Sequence, residues 1–534
     1  MRRLHVFLTV SVSAVIVAAC AGGGGSGPVA GVPMASSGPM VGSPGERLQS
    51  ELHLLHHRRT PALPPPRRNP ITGAARARAR AAGWQELTAG SPFDSNGPGT
   101  ELLMTDGTVM VQDSCSPNWF SLAPDKNGSY LNGTWTEKAS MSASYGPLYF
   151  ASAVLADGKL IINGGEYNFC NPVETTLGAI YDPVANTWTP VSPPSGWGRI
   201  GDAQSTVLDN GTYMLGNCCT NVQALLNESK MTWTQVGNGK QDDNSEEGWT
   251  LLRGGNALAV NVLDPPDAQV YVPKANMWEA AGQLPVNIIN DVEIGPQTLL
   301  PNDTVFVAGA NGDTVVYNAK HGSWAEGPSF PLLNGVQLEV ADGPSTLLTD
   351  GSVILPASPG VYQTPAPFFI YNGKKLKSLA APPNYVNDST YNIRLLMLPT
   401  GQVLENDGSP DIEIYTSNRP AVGGIGPVIS LLPTTLTHGK TYEIAGRRFN
   451  GVSQANMYGD DDQQATNYPL VRIVNGKTGH VFYCRTHGHS FMGVGSNHMV
   501  STMFDVPSGI ETGASTLVVV ANGIASAPAN VSVK

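Results

Sequence analysis

The stretch Leu148-Tyr149-Phe150-Ala151-Ser152-Ala153-Val154-Leu155-Ala156-Asp157-Gly158-Lys159-Leu160-Ile161-Ile162-Asn163-Gly164-Gly165 decides how this chain is read. An apolar strand runs into Asp-Gly, and a second apolar strand ends in Gly-Gly. Asp-Gly between two β-rich runs predicts a two-residue hairpin turn with positive φ at both central residues. Both strands are apolar, so the hairpin needs neighbours on both faces, and the chain must supply copies of it.

It does. Tight turns between apolar strands recur at Asp106-Gly107, Asp157-Gly158, Asn210-Gly211, Gly255-Asn256, Asn302-Asp303, Asp350-Gly351 and Thr400-Gly401, spaced by 45 to 53 residues. A tryptophan marks a later strand of each unit: Trp84, Trp135, Trp188, Trp233, Trp278 and Trp324, with Leu376 in the seventh place. A period of about 50 residues with four strands per unit is the kelch-type propeller signature. Trp84 precedes the first hairpin, so its strand completes the last blade, near Tyr415, and closes the ring without an open sheet edge. The fold class is therefore all-β: a seven-bladed kelch-type β-propeller over 83–421. Short strands over 428–534 predict an immunoglobulin-like β-sandwich behind it.

The N-terminus reads as an export signal. Arg2 and Arg3 precede the apolar run Val6 to Val17, and small residues lead to Cys20. This predicts a secretory signal peptide over 1–20. The small residues before Cys20 resemble the bacterial lipobox, which implies that Cys20 is lipidated and, with Ala21 rather than Asp after it, that this cell-envelope lipoprotein goes to the outer membrane. Residues 21–82, rich in Gly, Pro and Arg, read as a disordered tether. A formal charge of −11 argues against nucleic acid as a partner, because phosphate binding needs a basic field. The membrane, through Cys20, is an expected partner, and the chain reads as a monomer. Five cysteines follow Cys20 in an oxidising compartment, and an odd number leaves one outside intramolecular pairs.

An exported seven-bladed kelch propeller with a C-terminal immunoglobulin-like domain resembles the galactose oxidase and glyoxal oxidase family. The likeness is sharpest at Ser389-Thr390-Tyr391-Asn392-Ile393-Arg394 and at Arg485-Thr486-His487-Gly488-His489-Ser490. It implies that Tyr391 is the axial tyrosine of a copper site and that His489, from the C-terminal domain, is a copper ligand reaching the propeller axis. It implies a carbohydrate, primary alcohol or aldehyde as substrate. The family's second histidine is replaced by Asn392. The strand expected to carry its cofactor cysteine reads Tyr149-Phe150-Ala151-Ser152, and the partner tyrosine's place is Asp202. One His, one Tyr and an amide are a poor set for copper(II), so the copper-radical site is expected not to be intact.

Counting eight or nine residues back from each turn gives Tyr149, Asp202, Glu246 or Glu247, Glu293, Asp342 and Tyr391-Asn392. These side chains are expected around one axial cavity. Tyr391, Asp202, Glu247 and Asp342 are the catalytic candidates, because crowded carboxylates titrate apart into acid and base. Tyr149, Asn392 and Glu293 are candidates for substrate binding. The same carboxylates suit a divalent cation such as calcium. Asp460-Asp461-Asp462 reads as a solvated loop. Cys218-Cys219 is expected either to form a vicinal disulfide with an apolar face for a sugar ring, or to place one cysteine in a bond with Cys115 or Cys170. Three functions stay open: an enzyme acting on extracellular or cell-wall carbohydrate by carboxylate chemistry, a copper oxidase with an altered ligand set, and a surface module that binds glycan or protein without chemistry.

Overall fold

The computed structural model describes residues 71–94, 96–458 and 463–534. Cys20, the signal sequence and Asp460-Asp461-Asp462 lie outside these residues.

The seven blades are present. Blade 1 runs Pro98–Leu103, Val109–Asp113, Trp119–Ala123 and Thr134–Glu137. Blade 2, which holds the hairpin above, runs Ala151–Val154, Leu160–Asn163, Gly178–Asp182 and Thr187–Pro190. The innermost strands of blades 3 to 7 are Ser205–Val207, Thr250–Leu251, Gln297–Leu299, Ser345–Leu347 and Arg394–Met397. Every residue of these inner strands is buried. Outer strands such as Thr134–Glu137 show the half-exposed alternation of a sheet edge. Trp84–Glu86 pairs antiparallel with Glu413–Tyr415, Trp84 opposite Tyr415. The ring therefore closes with strands from both of its ends, as the phase of Trp84 implies.

The turns differ from expectation in type. In blade 1 the Gly107 amide donates to Met104 O at 3.0 Å and the Met104 amide to Thr108 O at 2.7 Å. Gly107 has φ +79, while Asp106 is not among the positive-φ residues. This is a type I turn followed by a bulge glycine, so only one position needs left-handed backbone. The Asp keeps its place for another reason: Asp106 Oδ1 accepts the Thr108 amide at 3.0 Å. Asp157, Asn210, Asn302 and Asp350 make the same bond.

The expected tether ends before Ala82. Gly73–Ala81 is an α-helix capped by Thr72, whose hydroxyl accepts the Ala75 amide. Ala and Arg are strong helix formers. Arg76 bonds Glu86 and Asp411 on blade 7, and Ala79 is buried against the propeller core.

The C-terminal strands form one hydrogen-bonded path from Val428–Leu431 to Thr435–Leu436. Strand Val481–His487 switches partner along its length. Its first half pairs with Leu470–Asn475 and its second half with Val500–Asp505. A strand that changes partner in this way turns the corner between two sheets. The sheets enclose Leu436, Ile444, Phe449, Val471, Phe504, Leu517 and Val531. The result is a β-sandwich consistent with the immunoglobulin-like expectation.

The sandwich sits on the turn end of the propeller. The Thr486 amide donates to Thr105 O at 3.1 Å, His489 to Ala156 O at 2.9 Å and Met492 to Asp209 O at 2.9 Å. From it, Asn450 to Tyr458 and Gln463 to Asn467 enter the axis. Gln454 Oε1 accepts the Leu251 amide of blade 4 at 2.8 Å and Gln454 Nε2 donates to Thr206 of blade 3 at 3.3 Å. Asn456 Oδ1 accepts from Met397 of blade 7 at 2.8 Å and Thr346 of blade 6 at 3.0 Å. Asn456–Met457 adds a fifth strand to blade 6, against Ser345 and Thr346. At the top of this insertion the Tyr458 hydroxyl donates to Tyr391 O at 2.7 Å.

Candidate functional site

The axial side chains lie at the end of the ring away from the sandwich. They precede the innermost strands rather than belonging to them. The chain arrives there through left-handed backbone, with φ +52 at Tyr149, +54 at Glu246 and +43 at Asp342. Thr390–Asn392 forms a 3-10 turn rather than strand. Three separate groups result.

The first joins blades 4, 5 and 6. One carboxylate oxygen each from Glu246, Glu293 and Asp342 lies within 4.8 Å of the others. Two unit charges at that spacing repel by about 3 kcal/mol at an effective dielectric of about 20. Glu246 and Glu293 are buried. Glu339 stands beside Glu293; burial first, and the Glu293 charge second, push its carboxyl up to about 9. Glu339 is 3% exposed, and neither of its carboxylate oxygens has a hydrogen-bond partner.

Glu247 is not part of this group. Its carboxylate faces the blade interior, 2.9 Å from Lys240 Nζ and within 3.0 Å of Trp249 Nε1 and 3.1 Å of Gln204 Nε2. Burial raises it to about 7, against the lowering by Lys240. The one-residue shift from Glu247 to Glu246 follows from the left-handed backbone at Glu246, which breaks the two-residue alternation that a strand count assumes.

The second group joins blades 7, 1 and 2. Tyr149, Tyr391, Tyr167, Leu148 and Cys115 pack together, with Cys170 and Tyr362 against them. Tyr149, Tyr391, Asn392, Arg394, Ser114 and Asn406 line one small pocket. The Arg394 guanidinium lies 4.5 Å from the Tyr458 ring centre and 5.7 Å from that of Tyr149. Arg394 Nη1 also donates to Tyr391 O at 2.7 Å. Cys115 and Cys170 form a disulfide. Next to it, Phe169 is 40% exposed.

The third group is Glu174, Cys218 and Cys219, with Asp202 next to it. Cys218 Sγ lies 3.4 Å from Glu174 Oε2, which also accepts the Asp202 amide at 3.4 Å. Cys218 and Cys219 are both thiols. The vicinal ring is therefore not formed, and neither cysteine bonds Cys115 or Cys170, which take each other. Burial, then the neighbouring Cys219, Glu174 and Asp202, hold the Cys218 thiol well above its ordinary range. Gly201 makes the encounter possible: a Cβ there would lie 1.9 Å from Glu174 Oε2 and 2.6 Å from Cys218 Sγ.

His489 does not reach Tyr391. It lies at the turn end of blade 2, its amide on Ala156 O, its Nδ1 2.9 Å from Thr502 Oγ1 and its ring stacked on Tyr468. Tyr149 stands at the opposite end of the same strand, Ala151–Val154. Burial, then the charges of His487 and Arg485, depress His489 to about 3. The segment that climbs the axis is Asn450 to Tyr458 instead, and it brings Tyr458, not an imidazole, to Tyr391. The donors around Tyr391 are thus phenol, amide and guanidinium, which do not fit copper(II).

Several residues of the site were missed by motif and spacing. Glu339 lies three residues before Asp342, in a run whose neighbours Leu338 and Val340 are core. That alternation was the available signal. Arg394 stood inside the Tyr391 motif. Glu174, Tyr458 and the Cys115–Cys170 pairing carried no local signal.

The chain matches no protein-family profile. It is 37% identical over 91 residues to the kelch-like protein terF of Aspergillus terreus, a match covering 16% of this chain and 18% of that protein. Among solved structures, a fungal alcohol oxidase of the AA5 family in complex with copper aligns over 85% of this chain and 100% of its own, at 12% identity and a TM-score of 0.48. Virginiamycin B lyase from Staphylococcus aureus aligns over 62% of this chain and 99% of its own, at 10% identity and a TM-score of 0.45. The seven-bladed propeller rests on the strand pairing of the chain itself.

Proposed function

We propose that this protein is an exported, lipid-anchored propeller that binds extracellular or cell-wall carbohydrate at the axial end away from the sandwich, without a copper-radical centre. One observation carries the reading: Phe169, 40% exposed beside the Cys115–Cys170 disulfide, and half-buried Tyr362 flank the buried cluster of Tyr149, Tyr167 and Tyr391, with Asn392 and Arg394 in its pocket. Aromatic faces beside a few fixed polar groups suit the alternating apolar and hydroxyl faces of a sugar. The displacement of His489 from Tyr391 supports the absence of copper chemistry. The sequence pattern of Arg2, Arg3, the apolar run Val6 to Val17 and Cys20 and the Cys115–Cys170 disulfide support export; lipidation of Cys20 and an outer-membrane address are part of the same proposal.

The test is retention on a panel of insoluble and soluble glycans, with Phe169→Ala and Tyr362→Ala as variants. Retention by at least one glycan, weakened roughly tenfold or more in both variants at unchanged melting temperature, is expected. Retention by none, or retention indifferent to both changes, overturns the reading. Copper-dependent peroxide release from alcohols or aldehydes overturns its second half. A hydrolytic reading has one observation in its favour, the unequal titration of Glu339 among neighbouring carboxylates; new reducing ends from a retained glycan, abolished by Asp202→Asn or Asp342→Asn, would establish it.

A further inference from the structure

We propose that Glu246, Glu293 and Asp342 form a calcium site on the propeller axis. Three consecutive blades deliver one carboxylate each to one point, with an oxygen of each within 4.8 Å of the others. Calcium binds oxygen at about 2.3–2.6 Å, so ligands on opposite sides of one ion are separated by roughly twice that. The spacing admits a single ion touching all three. The set contains no nitrogen or sulfur, which selects a hard cation over zinc or copper.

A second observation points the same way. Glu339 is 3% exposed beside the Glu293 charge, and both its carboxylate oxygens lack a hydrogen-bond partner. Buried carboxylates kept for structure are ordinarily satisfied by donors, as Glu247 is by Lys240, Trp249 and Gln204. Glu339 has no such donors. What its position offers is a buried carboxyl beside Glu293 that lacks a positive or donating partner, which a cation of charge two would supply. Calcium takes six to eight oxygens, so the protein carboxylates leave coordination positions for water or for ligand hydroxyls.

This inference is independent of the glycan reading and is tested with calcium alone. The full chain is stripped with chelator, dialysed, and titrated with calcium chloride by calorimetry and equilibrium dialysis. One ion per chain and a calcium-dependent rise in melting temperature are expected. Glu293→Gln is expected to weaken binding tenfold or more and to abolish the rise. Glu228→Gln, in a groove outside the ring, is expected to change neither. Glu246→Gln and Asp342→Asn are read the same way and decide the case if Glu293→Gln does not fold. No saturable binding overturns the proposal, as does binding that survives the axial substitutions. Tighter binding of zinc than of calcium overturns the choice of ion.

Discussion

The two ends of the propeller axis are built on opposite terms. At the turn end, backbone meets backbone. The sandwich lays Thr486, His489 and Met492 amides on carbonyls of blades 1, 2 and 3, and glycines clear the way: a Cβ on Gly107 would stand 2.6 Å from the Tyr483 ring, and one on Gly158 2.8 Å from Thr486 O. At the other end, side chains meet side chains. Carboxylates from three blades crowd together, aromatic rings enclose a guanidinium, and non-glycine residues occupy left-handed backbone. The first end is built for fit and has few chemical groups left over. The second gives up local stability to hold groups that repel. Polar groups concentrated where they cost stability single out the second end as the candidate functional surface.

The contrast can be broken most forcefully at the turn end. Gly107→Val places a branched side chain at φ +79 against Tyr483 and is expected to cost about 3–5 kcal/mol in denaturant unfolding, from left-handed strain and overpacking together. A loss below about 1 kcal/mol would mean that the sandwich is loosely docked. Asn456→Ala is next. It leaves the Met397 amide and the Gln464 carbonyl unpaired in the axis and is expected to cost about 2–4 kcal/mol.

His489 gives a pH-dependent version of the same test. Its folded-state value, about 3, lies below the ordinary 6.5. Between these values the unfolded chain binds a proton that the folded chain refuses, so stability falls as pH drops below 6.5. The slope is at most about 1.4 kcal/mol per pH unit. His489→Gln is expected to remove roughly 2 kcal/mol of the loss between pH 6.5 and 5, read from denaturation midpoints. An unchanged acid limb would mean that the imidazole is solvated.

At the open end the sign reverses. In chelator, Glu293→Gln relieves repulsion from Glu246 and Asp342 and is expected to raise stability by about 1 kcal/mol. With calcium present the same change is expected to lower it. A destabilising effect in both conditions would remove the distinction between the two ends.

The propeller was legible because its signals are local and repeated. A bulge glycine must take left-handed backbone, an Asx side chain holds the amide two residues on, and Trp84 betrays the closure by its phase alone. The candidate site was legible by half. Counting from the turns placed Tyr149, Asp202, Glu293, Asp342 and Tyr391 at one end of their blades, because the innermost strand and its approach span eight or nine residues in each. It failed at Glu247, where the chain leaves the extended state before the strand begins. His489 was misplaced for a different reason. Which C-terminal segment enters the axis depends on how two domains dock, and no spacing within Arg485–Ser490 records that. The helix Gly73–Ala81 was hidden in an Arg/Ala run that lacks an apolar face, although its Thr72 cap was readable.

The strand Trp84–Glu86, which closes the ring, also sets an order of events in time. It is the first propeller strand to be synthesised and waits for Glu413–Tyr415, the last. Blades 1 to 6 can each complete their own four strands as they emerge, yet no ring exists until blade 7 is made. Asn450 to Tyr458 follow later still, so the channel receives its plug after its walls. A chain interrupted anywhere before blade 7 would carry a strand with nowhere to pair, which makes the newest part of the molecule the gatekeeper of the oldest.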